Sequence, residues 1–190
     1  MAGSDFFKLD VQIHDAARRR HGQRVVQFAP LHGDSLSTSA LKLLTSCFLD
    51  GERVCFRTHR SGAGPDVAHL CAAGRIRHWV NIDPVDARPL RFGSGRAERV
   101  SAVFSSVARA QAWWSKYARK CGPIQSLSVY AVPDTALHQL LGALEHRMRW
   151  HCTLDGNAVV LCSNNDFIEI NLVDVSSGAC MSVGPTAAAI

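Results

Sequence analysis

From Glu52 to Leu144 the chain alternates strand-length apolar segments with helix-length amphipathic ones, and that alternation limits it to a sheet covered by helices. Glu52–Thr58 reads as a strand with Val54 and Phe56 on one side. Pro65 is expected to open a short helix through Leu70, closed by Gly74. In Ile76–Ile82, His78 and Val80 share one face with the two isoleucines, against Arg77, Trp79 and Asn81, so this is a strand with one face more buried. Pro84–Arg96 should be irregular, because Pro89, Gly93 and Gly95 oppose a long helix. A strand at Arg99–Phe104 leads to a helix at Val107–Lys120 with Val107, Ala110, Trp114 and Tyr117 on its apolar face. Leu127–Val132 is a strand, and Pro133-Asp134 starts a helix carrying Leu137, Leu140, Leu141 and Leu144.

Both ends of the chain are strand-rich. Phe6–His14 and Gln23–Pro30 should form a hairpin turning at His21-Gly22. A helix follows from the Asp34-Ser35-Leu36-Ser37 start, with Leu36, Ala40, Leu43, Leu44, Cys47 and Phe48 on one face and Asp50-Gly51 as its stop. Strands at Met148–Leu154, Ala158–Cys162 and Phe167–Val173 close the fold, with turns at Asp155-Gly156 and Asn164-Asn165-Asp166. The expected architecture is α/β: one mixed sheet flanked by helices, in a single domain over residues 1–175. Residues 176–190 are small, low in charge and read as a flexible tail.

With 190 residues, 47% hydrophobic and 19% charged, the chain is long and apolar enough for one buried core. No apolar run has transmembrane length and no signal-peptide segment is visible, so a cytoplasmic, non-membrane protein is expected. The seven cysteines form no CxxC pair and are expected to be buried thiols. The net charge of +5 comes with clusters at Arg18-Arg19-Arg20, at Arg88, Arg91, Arg96 and Arg99, and at Lys116, Arg119 and Lys120. Such clusters suit phosphate backbones or a solvated face equally. Trp113 and Trp114 beside Lys116 and Arg119 resemble a base-stacking surface, although adjacent helical tryptophans diverge and one of them should be core.

Several blocks together resemble the YaeQ family. They are His32 with the serines after it and Leu41-Lys42-Leu43-Leu44; Ala112-Trp113-Trp114-Ser115-Lys116; and Ser126-Leu127-Ser128-Val129. The C-terminal blocks are Leu141-Gly142-Ala143-Leu144, Arg147-Met148-Arg149-Trp150, Leu154-Asp155-Gly156 and Phe167-Ile168-Glu169-Ile170-Asn171-Leu172. The resemblance implies a restriction-endonuclease-like fold of the PD-(D/E)XK type. It says less about activity, since a fold does not carry a reaction with it.

Nucleases of that type gather carboxylates around Mg²⁺, which polarises the phosphate and lowers the pKa of the attacking water. The resemblance places the family's acids at Ser37, in the stretch Gly62-Ala63-Gly64-Pro65, and at Asn81, and its downstream lysine near Arg91. These positions supply no anionic oxygen here, so the metal site is expected to be eroded. A rebuilt site could use Asp66 and Asp83 as ligands, with Asp86 and Asp34 close by, Asn81 as a weak carbonyl ligand and Arg91 steadying phosphate. Without it, Asp34 caps a helix and Asp83 and Asp86 make turns.

No cofactor is expected unless the site is rebuilt, in which case it is Mg²⁺. Cys55, His59, His69 and Cys71 lack zinc-site spacing. Ser61-Gly62-Ala63-Gly64 lacks the lysine of a phosphate loop, and no serine or cysteine sits in a nucleophile motif. Two functions follow. One is a non-catalytic role binding nucleic acid or a protein partner, with Arg88, Arg91, Lys116 and Arg119 as the nucleic-acid contacts. The other is a Mg²⁺-dependent nuclease with displaced acids.

Overall fold

In the computed structural model, which describes residues 6–48, 50–58, 64–163 and 166–177, the N-terminal hairpin pairs β1 (Phe7–Asp15) with β2 (Arg20–Phe28). It turns at residues 16–19, not at His21-Gly22. His21 and Gly22 instead extend the ladder opposite His14 and Ile13, and Arg19 takes the positive φ that the tight turn needs.

The remaining elements follow in chain order. They are α1 (Leu36–Ser46), β3 (Arg53–Phe56), β4 (Val67–Leu70), β5 (Ile76–Ile82), α2 (Arg88–Ser94), β6 (Ala97–Phe104), α3 (Val107–Cys121), β7 (Leu127–Ala131) and α4 (Asp134–Gly142). The last four strands are β8 (Arg147–Asp155), β9 (Ala158–Ser163), β10 (Asp166–Asn171) and β11 (Val173–Asp174).

Two mixed sheets form where the sequence suggested one. The first runs β10-β9-β8-β1-β2 and the second β11-β7-β6-β5-β4-β3. The N-terminal hairpin joins the C-terminal strands through the parallel pair β1–β8, so the two chain ends build their own sheet. The middle of the chain builds the second, with β5, β6 and β7 parallel and β4 antiparallel to β5. The helix expected at Pro65–Leu70 is strand β4. Pro65-Asp66 resembles a helix start, but Val67–Leu70 pairs along β5 on one side and β3 on the other, and those ladders decide its conformation. Pro84–Arg96, expected to be irregular, contains α2, with Pro89 in its first turn where its missing N–H costs nothing.

Two cores result. The inner face of the first sheet packs with α1, α4 and one face of the second sheet, around Leu9, Val11, Leu41, Leu44, Val80 and Trp150. On the opposite face of the second sheet, α2 and α3 cover Trp79, Val100, Ala102 and Phe104. Both faces of β5 are therefore buried, which the alternation of Ile76–Ile82 did not suggest. On α3 it is Trp113, not Trp114, that sinks beside Phe104. The fully buried stretch of α1 includes Thr45 and Ser46, whose hydroxyls donate back to Leu41 O and Leu43 O. Six described cysteines are free thiols; Cys47, Cys121 and Cys152 are buried, whereas Cys55 and Cys162 are exposed, contrary to expectation. Among the described residues no helix is long and apolar enough to cross a membrane.

Candidate functional site

The ends of β4 and β5 open onto a cleft of about 480 Å³. Its walls include Asp34, Arg57, Asp66, Asn81, Asp83, Asp86 and Arg88. The structure thus brings Asp66, Asn81, Asp83 and Asp86 together and adds Asp34. It leaves Arg91 outside, in a neighbouring recess with Lys120, and Thr38 rather than Ser37 reaches the wall.

Each carboxylate in this cleft already has donors. Asp66 precedes β4, held by its N–H to Val80 O, and its Oδ2 accepts from Ile82 N at 2.9 Å and Asn81 Nδ2 at 3.2 Å. Its Oδ1 lies 3.6 Å from Arg57 Nε. Asp83 does not continue β5. It turns away with φ 44°, its Oδ1 accepts from Ser105 N at 3.1 Å, and its Oδ2 faces Ser105 Oγ at 2.8 Å and Arg109 Nη1 at 3.2 Å. Asp86 accepts from Arg88 N and Nε, an N–H contact and an ion pair that together hold its carboxyl below the usual range. Asp34 does not cap α1. Ser35 does, accepting from Thr38 N, while Asp34 takes Lys42 Nζ at 2.6 Å in an ion pair whose side chains are 7% and 1% exposed.

Asn81 is fully engaged as well. Its Oδ1 accepts from Trp79 Nε1 at 2.7 Å, and its Nδ2 donates to Gly64 O at 3.1 Å and Asp66 Oδ2 at 3.2 Å. The carbonyl considered as a weak metal ligand is committed to an indole. The NH₂ lies between a carbonyl oxygen and a carboxylate oxygen, supplying the positive end that those two oxygens require. Among the described residues no three His, Cys, Asp or Glu side chains are placed to hold a metal ion. Of the zinc candidates, His69 donates from Nε2 to Thr45 O, and His59 lies outside the described residues together with Ser61, Gly62 and Ala63.

A solved relative shares this architecture from end to end. The crystal structure of the YaeQ protein from Xanthomonas axonopodis pv. citri superposes with a TM-score of 0.80 at 17% identity, covering 90% of this chain and 98% of that one. The crystal structure of YaeQ protein from Pseudomonas syringae gives 0.79 at 20% identity, covering 92% and 97%. The uncharacterized protein YaeQ of Salmonella typhi is 25% identical over 171 residues, covering 87% of this chain and 92% of its own. The model of the YaeQ protein family matches residues 1–172. The chain belongs to the YaeQ family. The family match runs through residues 1–172, beyond the separate sequence blocks, and the two mixed sheets with their helices are the architecture shared with those crystal structures.

A second polar cluster escaped the sequence reading. Between the two sheets, Asp50 Oδ2 contacts His78 Nδ1 at 2.7 Å, and His78 Nε2 contacts Ser101 Oγ at 2.8 Å. Arg18 and Arg99 both donate to Asp50 Oδ1. Burial alone would raise the Asp50 carboxyl, but the hydrogen bond from His78 and the charges of His78, Arg99 and Arg18 hold it well below the usual range. His69 stacks on His78 with ring centroids 5.6 Å apart. Burial first, then the charges of His78 and Arg24, push its pKa down to about 3. Ser101–His78–Asp50 has the connectivity of a hydrolytic triad, yet Ser101 is 2% exposed and no substrate carbonyl can reach its Oγ. This cluster is an internal tie between the sheets. The only sequence hint was His78 on an apolar strand face.

Proposed function

We propose that this YaeQ-family protein is a non-catalytic binder of nucleic-acid backbone, on a nuclease-type scaffold whose metal site has been replaced by internal ion pairs. One contrast carries the reading. The cleft pairs its charges, whereas the helices beside it, apart from Arg88 and Arg109, leave theirs to solvent. Asp34, Asp66, Asp83 and Asp86 pair with Lys42, Arg57, Arg109 and Arg88. A hard, strongly hydrated ion needs several free anionic oxygens, and here each must first be stripped of a cation. Helices α2 and α3 carry Arg88, Arg91, Arg109, Lys116, Arg119 and Lys120 and no acidic residue. Among the described residues Arg91, Lys116, Arg119 and Lys120 form no ion pair. Both helices lie on one face of the second sheet, and Arg91 and Lys120 line one recess, so the cations form a band.

Such a band binds phosphates by counterion release, so affinity falls steeply with salt. Fluorescence anisotropy with labelled oligonucleotides across a salt series tests it, alongside a calorimetric Mn²⁺ titration. The reading expects salt-dependent binding and no saturable Mn²⁺ site. Binding of an acidic protein but of no oligonucleotide at low salt would refute it.

The second reading, a metal-dependent nuclease with displaced acids, draws on the convergence of four aspartates in one cleft. It requires tight Mn²⁺ binding and metal-dependent cleavage, both lost in Asp66→Ala and Asp83→Ala.

A further inference from the structure

Phe92 is 40% exposed on α2, within the cationic band. An aromatic ring in such a place is ordinarily turned inward, and this one is fixed where it is. Its inner edge meets Trp79, with ring centroids 5.9 Å apart and planes 62° apart. Trp79 is itself 2% exposed and anchored through its indole N–H to Asn81. One turn further on, the Arg96 guanidinium lies over the Phe92 ring, 3.4 Å from its centroid, and its Nη1 donates to Phe92 O at 3.2 Å. Arg96 has no acidic partner among the described residues. The result is a phenyl ring braced edge-on by a buried indole and covered on its exposed side by the guanidinium carbon of Arg96.

Around this stack stand Arg88, with a side chain 87% exposed, and Arg91. Gly93 keeps the platform low, because a Cβ there would come within 2.7 Å of the Trp79 ring. The conformational cost of holding an aromatic and an arginine in register is met by the fold before any ligand arrives.

We infer that the Phe92–Arg96 stack is a platform for an unpaired base, so that the ligand of the basic band is single-stranded nucleic acid. This rests on the backbone-binding reading above and narrows it. The base lies on the guanidinium, with Phe92 beneath, while Arg91 and Lys120 take the flanking phosphates. A duplex hides its base faces inside its own stack and offers edges and phosphates, so it gains the charge contacts and not the platform. Arginine serves where lysine cannot, since an ammonium has no plane to stack.

The test compares a labelled 12-nucleotide single strand with the duplex of the same sequence, by anisotropy from low to moderate salt. The proteins are the full chain, Arg96→Lys, Phe92→Leu, and Arg91→Gln with Lys120→Gln. The expected result is tighter binding of the single strand, a loss of about tenfold in Arg96→Lys and in Phe92→Leu for the single strand alone, and an unchanged salt slope in both. The charge variant should weaken single strand and duplex alike and flatten the slope. Arg96→Lys alters only an exposed side chain, so its result stands even if Phe92→Leu disturbs packing on Trp79. Equal binding of both nucleic acids with no effect of Arg96→Lys would overturn the platform and leave the basic band standing. Failure of both to bind at low salt would overturn the band, and the platform with it.

Discussion

The cleft at Asp66 and the cluster at Asp50 handle their carboxylates in opposite ways. In the cleft, four aspartates are spread out and each has its own cation, at sequence separations from two residues, for Asp86 and Arg88, to eight, for Asp34 and Lys42, and more for Asp66 and Asp83. At the cluster, one carboxylate collects Arg18, His78 and Arg99 from a hairpin turn and two strands, up to 49 residues away. Loss of one pair in the cleft strands a single partner. Loss of Asp50 releases one hairpin and two strands at once. Spread-out neutralisation answers each carboxylate singly, and concentrated neutralisation produces a joint.

The comparison breaks most visibly at Asp50. Asp50→Ala leaves His78 buried without its acceptor and removes the contact between the β1–β2 turn and the second sheet. Arg18 and Arg99 are about 40% exposed and recover water, which limits the cost. A loss of about 3 kcal/mol in urea unfolding is expected. The pH dependence has a definite sign. The folded carboxyl is depressed, so its stabilisation is complete above the unfolded value of about 4 and is lost as pH falls through the folded one. Asp50→Asn should therefore unfold with a shallower acid limb below about pH 4. An unchanged limb would assign the acid sensitivity elsewhere.

Within the cleft, the largest effect belongs to the pair buried deepest. Lys42→Met takes the cation from Asp34, whose Oδ2 keeps the N–H of Leu31, and a cost of about 2–3 kcal/mol is expected, with most of it recovered in the double variant Lys42→Met with Asp34→Asn. A cycle with no coupling would make that pair a bystander.

These two regions also differ in what the sequence disclosed. The cleft was partly legible because its members cluster in the chain, at Pro65-Asp66 and at Asn81 to Asp86, and because acidic and amide residues beside strand ends attract notice. Their pairing was not legible. Asp83 turns off the strand with a positive φ, and nothing local signals Ser105 as its acceptor's donor. The cluster at Asp50 was invisible because its members are joined only by the meeting of two sheets. Reading one sheet followed from the alternation in the middle of the chain; the second arises from β1 pairing with β8, a contact between the two chain ends that no periodicity encodes. By residue type Gly93 opposes a helix, and in the fold it is the residue that lets α2 lie against Trp79. Trp113 and Trp114 are adjacent, and the period puts Trp114 on the apolar face, one step away from Trp113, which is the one buried.

A sharper form of the comparison turns Asn81 into an acid. Asn81→Asp replaces an NH₂ donor by an oxygen facing Gly64 O and Asp66, and about 1–3 kcal/mol of stability should be lost without divalent cations. If the cleft keeps the outline of a cation site, Mg²⁺ or Mn²⁺ at millimolar concentration restores most of it, read as a rise in Tm absent from the wild-type chain. A Tm insensitive to both ions would mean that the cleft does not have the geometry of a cation site.

The smallest effect at neutral pH belongs to His69, and it changes sign. Its Nε2 meets Thr45 O at 2.9 Å, while its Nδ1 is buried with no partner among the described residues. His69→Phe loses one hydrogen bond and removes one orphaned nitrogen, so at pH 7 it should cost about 1 kcal/mol or less. The folded pKa of about 3 lies well below the unfolded value of 6.5. The neutral ring's contribution is complete above pH 6.5 and is lost as pH falls toward the folded value, because the unfolded chain takes up a proton that the folded one refuses. At pH 5 the wild-type chain has given up about 2 kcal/mol at this residue, and the phenylalanine variant has given up nothing. The variant should be the less stable protein at pH 7 and the more stable at pH 5. Parallel stability curves over that range would show that burial does not keep the His69 ring neutral.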